Sequence, residues 1–160
     1  MNHRWYGFLG AACLVLACGV ATAIVLTFNG SPASAAPTKS QYFARVAAIC
    51  RAYGPRLDKV PPPIDITIPS EITASVTKVE PILREESAAV RRLTPPRELR
   101  KQLARWNKLN GESISQLAVA LKAAKNIDLR GIQVAYVTFV VTGAKAQKLG
   151  HAIGFPSPPC

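Results

Sequence analysis

The chain has 160 residues, which is enough for one domain and too few for two of ordinary size. It carries 20 basic and 9 acidic residues, a formal net charge of +11, and 49% of its residues are hydrophobic. The apolar fraction excludes a chain that is disordered over most of its length. The positive charge favours partners with anionic surfaces, although the same charge would also keep a small domain soluble.

The N-terminus predicts a membrane segment. Its long apolar run is residues 5–28, WYGFLGAACLVLACGVATAIVLTF, 24 residues without a charge. As a helix this run would be about 36 Å long, enough to cross a hydrocarbon core of about 30 Å. Arg4 and the α-amine precede it, and no charge follows until Lys39. The asymmetry predicts a cytoplasmic stub at residues 1–4 and an extracytoplasmic remainder.

This segment has three possible fates. It is longer than the apolar region of a secretory signal, about 7–15 residues, which favours an uncleaved single-pass anchor in the cytoplasmic membrane. Residues 33–35 read Ala-Ser-Ala, an acceptable cleavage site, so secretion after cleavage near Ala35 is the alternative. Lipidation at Cys18 is the third, but the bulky Leu16 speaks against it. Cys13 and Cys18 are expected to be small apolar residues of the membrane helix.

Residues 29–39 are small, polar and proline-containing, as expected of a linker beside the membrane. The rest, residues 40–160, is predicted to be one extracytoplasmic domain. Four amphipathic segments joined by short proline-rich connections predict an all-α fold, an up-down four-helix bundle.

The first two helices are predicted from N-caps and prolines. Ser40 is the predicted cap of the first helix, which is expected to kink or end at Gly54-Pro55 and to resume for one turn. Residues 61–69, PPPIDITIP, are expected to form an extended crossover. Ser70 is the predicted cap of the second helix, with a kink expected at Pro81. The apolar stripes of these helices are Phe43, Val46, Cys50, Tyr53, Leu57 and Val60, then Ile72, Val76, Val79, Leu83, Val90 and Leu93.

The last two helices follow Thr94-Pro95-Pro96. The third is expected to end near Asn126. Its apolar stripe is Leu99, Leu103, Trp106, Ile114, Leu117 and Leu121, which places Trp106 in the core. Asp128 is the predicted cap of the fourth helix, which runs from Leu129 towards Ile153 with Gly154 as its stop. The β-branched residues of this last segment would also suit a strand. Its 14 uncharged residues, 131–144, are too few for a second membrane span.

Two cysteines, Cys50 and Cys160, follow the membrane segment. In an oxidising compartment such a pair predicts a disulfide, which would tether the proline-rich C-terminal tail to the first helix. Closing a loop of about 110 residues is worth on the order of 4–5 kcal/mol in the chain-entropy model.

The sequence shows no pattern typical of catalysis, a metal site or a cofactor site. Histidine occurs only at His3 and His151, without the clustered Cys and His that a metal site needs. Glu85 and Glu86 are adjacent, so on a helix they point about 100° apart and are expected to be surface charges. The chain is therefore predicted not to be an enzyme, with no cofactor and no metal.

One basic stretch, residues 91–108, is predicted to form a row of charges along a helix. At 100° per residue, four of its side chains fall within about 80° of one another, opposite Leu99, Leu103 and Trp106. These four, called the basic ridge below, are Arg97, Lys101, Arg105 and Lys108. The plain interpretation is a solvated helix face. The functional interpretation is contact with anionic lipid headgroups or an acidic cell-wall polymer, while the predicted compartment disfavours nucleic acid. No pattern indicates a protein partner.

Three runs carry a resemblance: ICRAYGPRLDKVPPP, PILREESAAVRRLTPP and the ending LGHAIGFPSPPC. Together, over about residues 42–160, the chain resembles a group of small actinobacterial envelope proteins with an N-terminal membrane segment, a helical outer domain and a terminal cysteine. The resemblance implies a cell-envelope location and assigns no activity or site residue.

Two functions fit these observations. The first is a non-enzymatic, membrane-anchored binding or scaffolding module of the cell envelope, acting through the basic ridge or a groove of the bundle. The alternative is a carrier of a small apolar ligand or lipid, held in a cavity between helices kinked at Gly54-Pro55 and Pro81. A closed core would favour the module, and an apolar cavity of several hundred cubic ångströms would favour the carrier.

Overall fold

The computed structural model describes residues 36–155, whose regular structure is entirely helical, without a strand. The four α-helices are α1 (Lys39–Leu57), α2 (Pro69–Arg91), α3 (Arg100–Lys125) and α4 (Leu129–Ile153), and a 3-10 turn at Arg97–Leu99 precedes α3. The all-α prediction is confirmed, including the helical state of α4. No helix within these residues is both long enough and apolar enough to cross a membrane. The predicted membrane helix, residues 5–28, lies outside the described residues.

Helix α1 is capped two residues before the predicted cap. Thr38 is the N-cap: its hydroxyl accepts a hydrogen bond from the backbone N–H of Gln41 at 3.2 Å. The side-chain oxygen of Gln41 accepts in return from the backbone N–H of Thr38 at 3.0 Å. Ser40, the predicted cap, lies in the first turn, so that prediction is wrong. The physical reason is the reciprocal pair, because Thr38 has a glutamine three residues later and Ser40 has Phe43 there.

Neither internal proline ends its helix. Helix α1 continues through Gly54-Pro55 to Leu57, and the N–H of Asp58 still bonds to the carbonyl of Gly54 at 2.9 Å. Helix α2 likewise continues through Pro81. Its predicted cap, Ser70, is also wrong: the helix begins at Pro69, whose fixed φ and missing N–H suit a first position.

The α3–α4 connection follows the sequence prediction. Helix α3 ends at Lys125 with Asn126 as its C-cap, and Asp128 caps α4 by accepting a 2.8 Å hydrogen bond from the N–H of Gly131. Gly154 ends α4 with a φ of 100°, a conformation that glycine adopts without strain. Between the caps, Ile127 has a φ of 56°, which is costly for a β-branched residue and keeps the connection short.

Contacts along α3 and α4 show that these two helices run antiparallel. The hydroxyl of Ser113 in α3 donates to the carbonyl of Phe139 in α4 at 2.9 Å. Towards the C-terminal end of α4, Trp106 of α3 packs against Gly150 of α4. A Cβ added at Gly150 would lie 3.2 Å from the indole nitrogen of Trp106. Helix α2 packs on α3, and α1 packs on α2.

The core consists of two separate apolar clusters. The loop cluster lies towards the α1–α2 and α3–α4 connections; its buried members are Val60, Ile72, Val76, Val79, Ile82, Leu117, Ala120, Ala123, Ala124, Ile132 and Ala135. The terminal cluster joins the start of α1 to the end of α4; its buried members are Tyr42, Val46, Val90, Leu99, Leu103, Trp106, Ala146, Ile153 and Phe155. Trp106 is 4% exposed and packs edge-on against Phe155 with ring centroids 4.9 Å apart, which confirms its predicted place in the core.

Replacing Thr38 by Ala should lower the free energy of unfolding by about 1 kcal/mol, because the N–H of Gln41 loses its acceptor. Both core clusters lie within residues 42–155, so urea unfolding of residues 36–160 is a suitable measurement. The matched control is Ser40→Ala, which removes a hydroxyl from the same turn and should change stability by less than about 0.5 kcal/mol. Equal losses in both variants would show that Thr38 is not the cap.

Candidate functional site

The basic ridge lies entirely in solvent. All four of its side chains are exposed, whereas Leu99, Leu103 and Trp106 on the opposite side are buried. The ridge begins in the 3-10 turn at Arg97 and continues along the first half of α3. One weak ion pair involves it, between Lys108 and Glu112 at 3.8 Å, and both side chains are largely exposed. Such a pair is worth at most about 1 kcal/mol, so the ridge keeps its charge.

The ridge presents its charges in an exposed row. Its cations span 12 residues of the chain, or about 16 Å along a helix axis. Such a row of ammonium and guanidinium groups attracts an extended anionic surface or polymer rather than enclosing one small anion. What the ridge binds stays a prediction.

A second polar feature lies inside the bundle and was not predicted from the sequence. Glu86, expected at the surface, is 5% exposed, and its neighbour Ser87 is 2% exposed. Glu85 is exposed as expected and pairs with Arg56 at 2.6 Å. The prediction for Glu86 is therefore wrong. Adjacent residues of a helix point about 100° apart, and this angle places Glu86 on the inner face of α2 while Glu85 stays exposed.

Helix α3 supplies the facing polar residues. Asn110 donates a hydrogen bond from its side-chain nitrogen to the hydroxyl of Ser87 at 3.3 Å, and Arg91 donates to the same hydroxyl at 2.8 Å. Ser113, 3% exposed, donates to the backbone of α4, and the side-chain oxygen of Asn107 is buried without a hydrogen-bond partner. We call Glu86, Ser87, Asn107, Asn110 and Ser113 the polar layer.

The polar layer lies between the two apolar clusters. Along α2, Ile82 belongs to the loop cluster and Val90 to the terminal cluster, with Glu86 between them. Along α3, Trp106 and Leu117 belong to different clusters in the same way, with Asn110 between them. The described bundle thus has an apolar core at each end and a polar layer in the middle.

A small cleft opens at this layer between α2 and α3. It encloses about 20 Å³ and is lined by Glu86, Ser87 and Asn110 together with Leu83, Val90, Trp106 and Ile114. This volume is enough for about one water molecule, and polar groups on its wall suit a water better than an apolar ligand. The cleft is too small for the lipid or apolar ligand of the carrier hypothesis.

The Glu86 carboxyl has no hydrogen bond or ion pair to another residue within 36–155. Burial raises its pKa to about 7, because removal from water disfavours the charged form. The nearby Arg91 directs a guanidinium nitrogen to Ser87 instead. Across residues 36–155 no group of three or more His, Cys, Asp or Glu side chains is placed to hold a metal ion. Because the pKa of Glu86 is raised to about 7, the polar layer can take up and release a proton near neutral pH.

A signal for this layer was present in the sequence. The apolar stripe of α2 skips from Leu83 to Val90, and that of α3 skips from Trp106 to Ile114. Glu86 and Asn110 occupy the missing core positions. Two gaps of this kind in neighbouring amphipathic helices indicate facing polar residues.

Of the predicted disulfide, the structure describes one partner. Cys50 lies half-buried on α1 against the terminal cluster, and Cys160 lies outside the described residues. The last described residue, Phe155, packs against Phe43 with ring centroids 5.5 Å apart. Cys50 follows Phe43 by two turns, about 10 Å, and the five residues after Phe155 can reach about 17 Å. The distance permits the bridge, which stays a prediction.

Comparisons of the chain with models of protein families, with curated proteins and with solved structures found no match. The resemblance to actinobacterial envelope proteins therefore stays a prediction, and function has to be argued from the residues themselves.

The buried carboxyl predicts a pH dependence of stability. Because the folded-state pKa of Glu86 is about 7 and the ordinary value is 4.5, the folded state binds more protons between these limits. The free energy of unfolding should therefore fall as pH rises from about 4.5 to about 7, by up to roughly 3 kcal/mol from this group. Glu86→Gln should remove this fall and be more stable than the parent at pH 8 in urea unfolding.

The control is Glu85→Gln, which removes the neighbouring exposed carboxylate. It should lose at most about 1 kcal/mol with its ion pair to Arg56 and keep the pH slope of the parent. A Glu86→Gln variant with the same slope as the parent would contradict the assignment.

The disulfide prediction is checked by peptide mapping without reduction, which should recover a peptide that joins Cys50 to Cys160. Cys50→Ala should lower stability by about 2–4 kcal/mol, because the unfolded chain loses its constraint. The matched variants Cys13→Ala and Cys18→Ala should leave the melting temperature of the domain unchanged. Two free thiols at Cys50 and Cys160 in the native protein would disprove the bridge.

Proposed function

We propose that this chain is a non-enzymatic binding or scaffolding module of the cell envelope, held by its N-terminal segment on the outer face of the cytoplasmic membrane. Its basic ridge contacts anionic lipid headgroups or an acidic cell-wall polymer. The observation that carries this proposal is the exposure of Arg97 in the 3-10 turn and of Lys101, Arg105 and Lys108 on α3, while Leu99, Leu103 and Trp106 fill the terminal cluster.

The charge pattern of the described helices supports an anionic partner. Within residues 36–155 the ridge makes one ion pair, between Lys108 and Glu112, and that pair is weak at 3.8 Å. Glu98, which is exposed in the same 3-10 turn as Arg97, makes no ion pair within these residues. Cations held in one row by a rigid helix act together on a charged surface, and each contributes about 1 kcal/mol near an anionic membrane. Tethering would add to this by keeping the domain at high local concentration beside the surface.

The anchored architecture is part of the proposal. Residues 5–28 would form the membrane helix and residues 29–39 the linker, with an up-down bundle outside, and secretion after cleavage near Ala35 remains the alternative. The antiparallel contacts of α3 with α4, and the packing of α2 on α3 and α1 on α2, support this topology. In either case the bundle meets the envelope and its acidic components.

The proposal is tested by binding of residues 36–160 to vesicles that contain anionic lipid and, separately, to a soluble acidic polymer. Changing Arg97, Lys101, Arg105 and Lys108 together to Gln should weaken binding to at least one of these by several kcal/mol, about 1 kcal/mol for each cation. Binding by the parent should also weaken as salt rises, because charges are screened beyond about 8 Å at physiological ionic strength.

The matched control removes two Arg and two Lys that are exposed on other elements: Arg45, Arg51, Lys59 and Lys78. It should lose much less binding than the ridge variant, since these cations do not form one row. If both variants lose the same amount, net charge explains the binding and the ridge is not a site. If the parent binds neither probe, the proposed contact is wrong.

A further inference from the structure

The outer side of α4 carries a row of exposed valines. Val134, Val137 and Val141 are 61%, 56% and 46% exposed. Steps of three and four residues place them in one line along the helix, about 10 Å long. Ile132 and Ala135 point into the loop cluster on the other side, so no helix within residues 36–155 covers this row. Apolar side chains in such a contiguous row, rather than scattered singly, indicate a contact surface.

Basic residues extend the same row at both ends. At 100° per residue, Arg130, Lys145 and Lys148 lie within about 80° of the valines, and all three are exposed. Helix α4, Leu129–Ile153, has no acidic residue. The complete row therefore reads one cation, three valines and two cations. We call these six residues the α4 row.

This pattern disfavours a second copy of the chain as the occupant. If two α4 rows paired about a twofold axis, Arg130 of one copy would approach Lys145 and Lys148 of the other, with no carboxylate on either helix to compensate. Three half-exposed valines also bury far less than the roughly 1,000 Å² of a stable protein interface. A partner with negative charge on both sides of an apolar strip fits better.

The place where the chain enters α1 also favours a partner that carries negative charge. Residues 29–38, which follow the predicted membrane segment, span at most about 35 Å. They lead into α1 at Lys39, which lies against the end of α4: an added Cβ at Gly154 would be 3.8 Å from the side chain of Lys39 and 3.5 Å from Phe43. A bilayer that holds the N-terminal segment is therefore within reach of the α4 row.

We propose that the α4 row lies on an anionic lipid bilayer, with its valines at the boundary of headgroups and acyl chains and its cations on lipid phosphates. Interfacial helices combine an apolar strip with flanking Lys and Arg in this way, and the long basic side chains reach outward to the headgroups. This contact rests on the proposed membrane anchoring, but it uses a surface distinct from the basic ridge.

The test uses the full chain reconstituted in vesicles of neutral and anionic phospholipid, with a photo-crosslinking benzoylphenylalanine in place of Val137. Illumination should give a lipid adduct that is found by mass spectrometry. The matched probe replaces Val119, an exposed valine of α3. The variant Arg130→Gln, Lys145→Gln, Lys148→Gln should reduce the adduct at position 137 by about tenfold or more, since three attractive charges are lost.

The outcomes separate this inference from the proposed function. A crosslinked dimer, no adduct at position 137, or equal adducts at both positions would overturn the α4 contact. It would also be overturned if the fourfold ridge variant abolished the adduct while the threefold α4 variant did not, a result that leaves the ridge proposal intact. Alkaline extraction of the same vesicles tests anchoring by itself, because an anchored chain stays with the lipid.

Discussion

The bundle depends on how closely α3 and α4 approach one another. A Cβ at Gly143 would lie 3.2 Å from the hydroxyl of Ser113, and one at Gly150 would lie 3.1 Å from Phe155 and 3.2 Å from Trp106. Glycine at these two positions lets the helices meet at the distance that the Ser113–Phe139 hydrogen bond requires. One face of α4 makes this contact with α3. The apolar residues of α4 therefore divide between two sides: Ile132 and Ala135 lie in the loop cluster, and Val134, Val137 and Val141 lie in solvent.

Much of the fold could be predicted from the sequence because its signals are local. The caps at Asp128 and Gly154 depend on residues within one turn, and the stripe that buries Leu103 and Trp106 repeats along a single helix. The errors concern competition between nearby candidates: Thr38 replaces Ser40 because only Thr38 has a partner for a reciprocal cap. Gly54-Pro55 was expected to kink or end α1 before the helix resumed for a turn, whereas α1 is continuous through these residues to Leu57.

Of the candidate sites, one could be predicted from the sequence and one could not. The exposure of the basic ridge follows from one helix and its period, so it could be predicted. The burial of Glu86 could not be read from α2 alone, since it depends on the residues of α3 that line the same cleft, among them Asn110. The adjacent carboxylates Glu85 and Glu86 were both expected at the surface. In the structure Glu85 pairs with Arg56, whereas Glu86 faces the interior.

The polar layer has a consequence for how the two ends of the bundle are coupled. Each apolar cluster contains residues from several helices, so each can hold its own end together. The ridge begins beside the terminal cluster, and the valines of the α4 row flank the loop cluster. A deprotonated Glu86 between the clusters weakens the middle of the bundle without removing apolar contacts from either end. The layer that joins the two cores therefore has a strength that depends on the protonation of one carboxyl group.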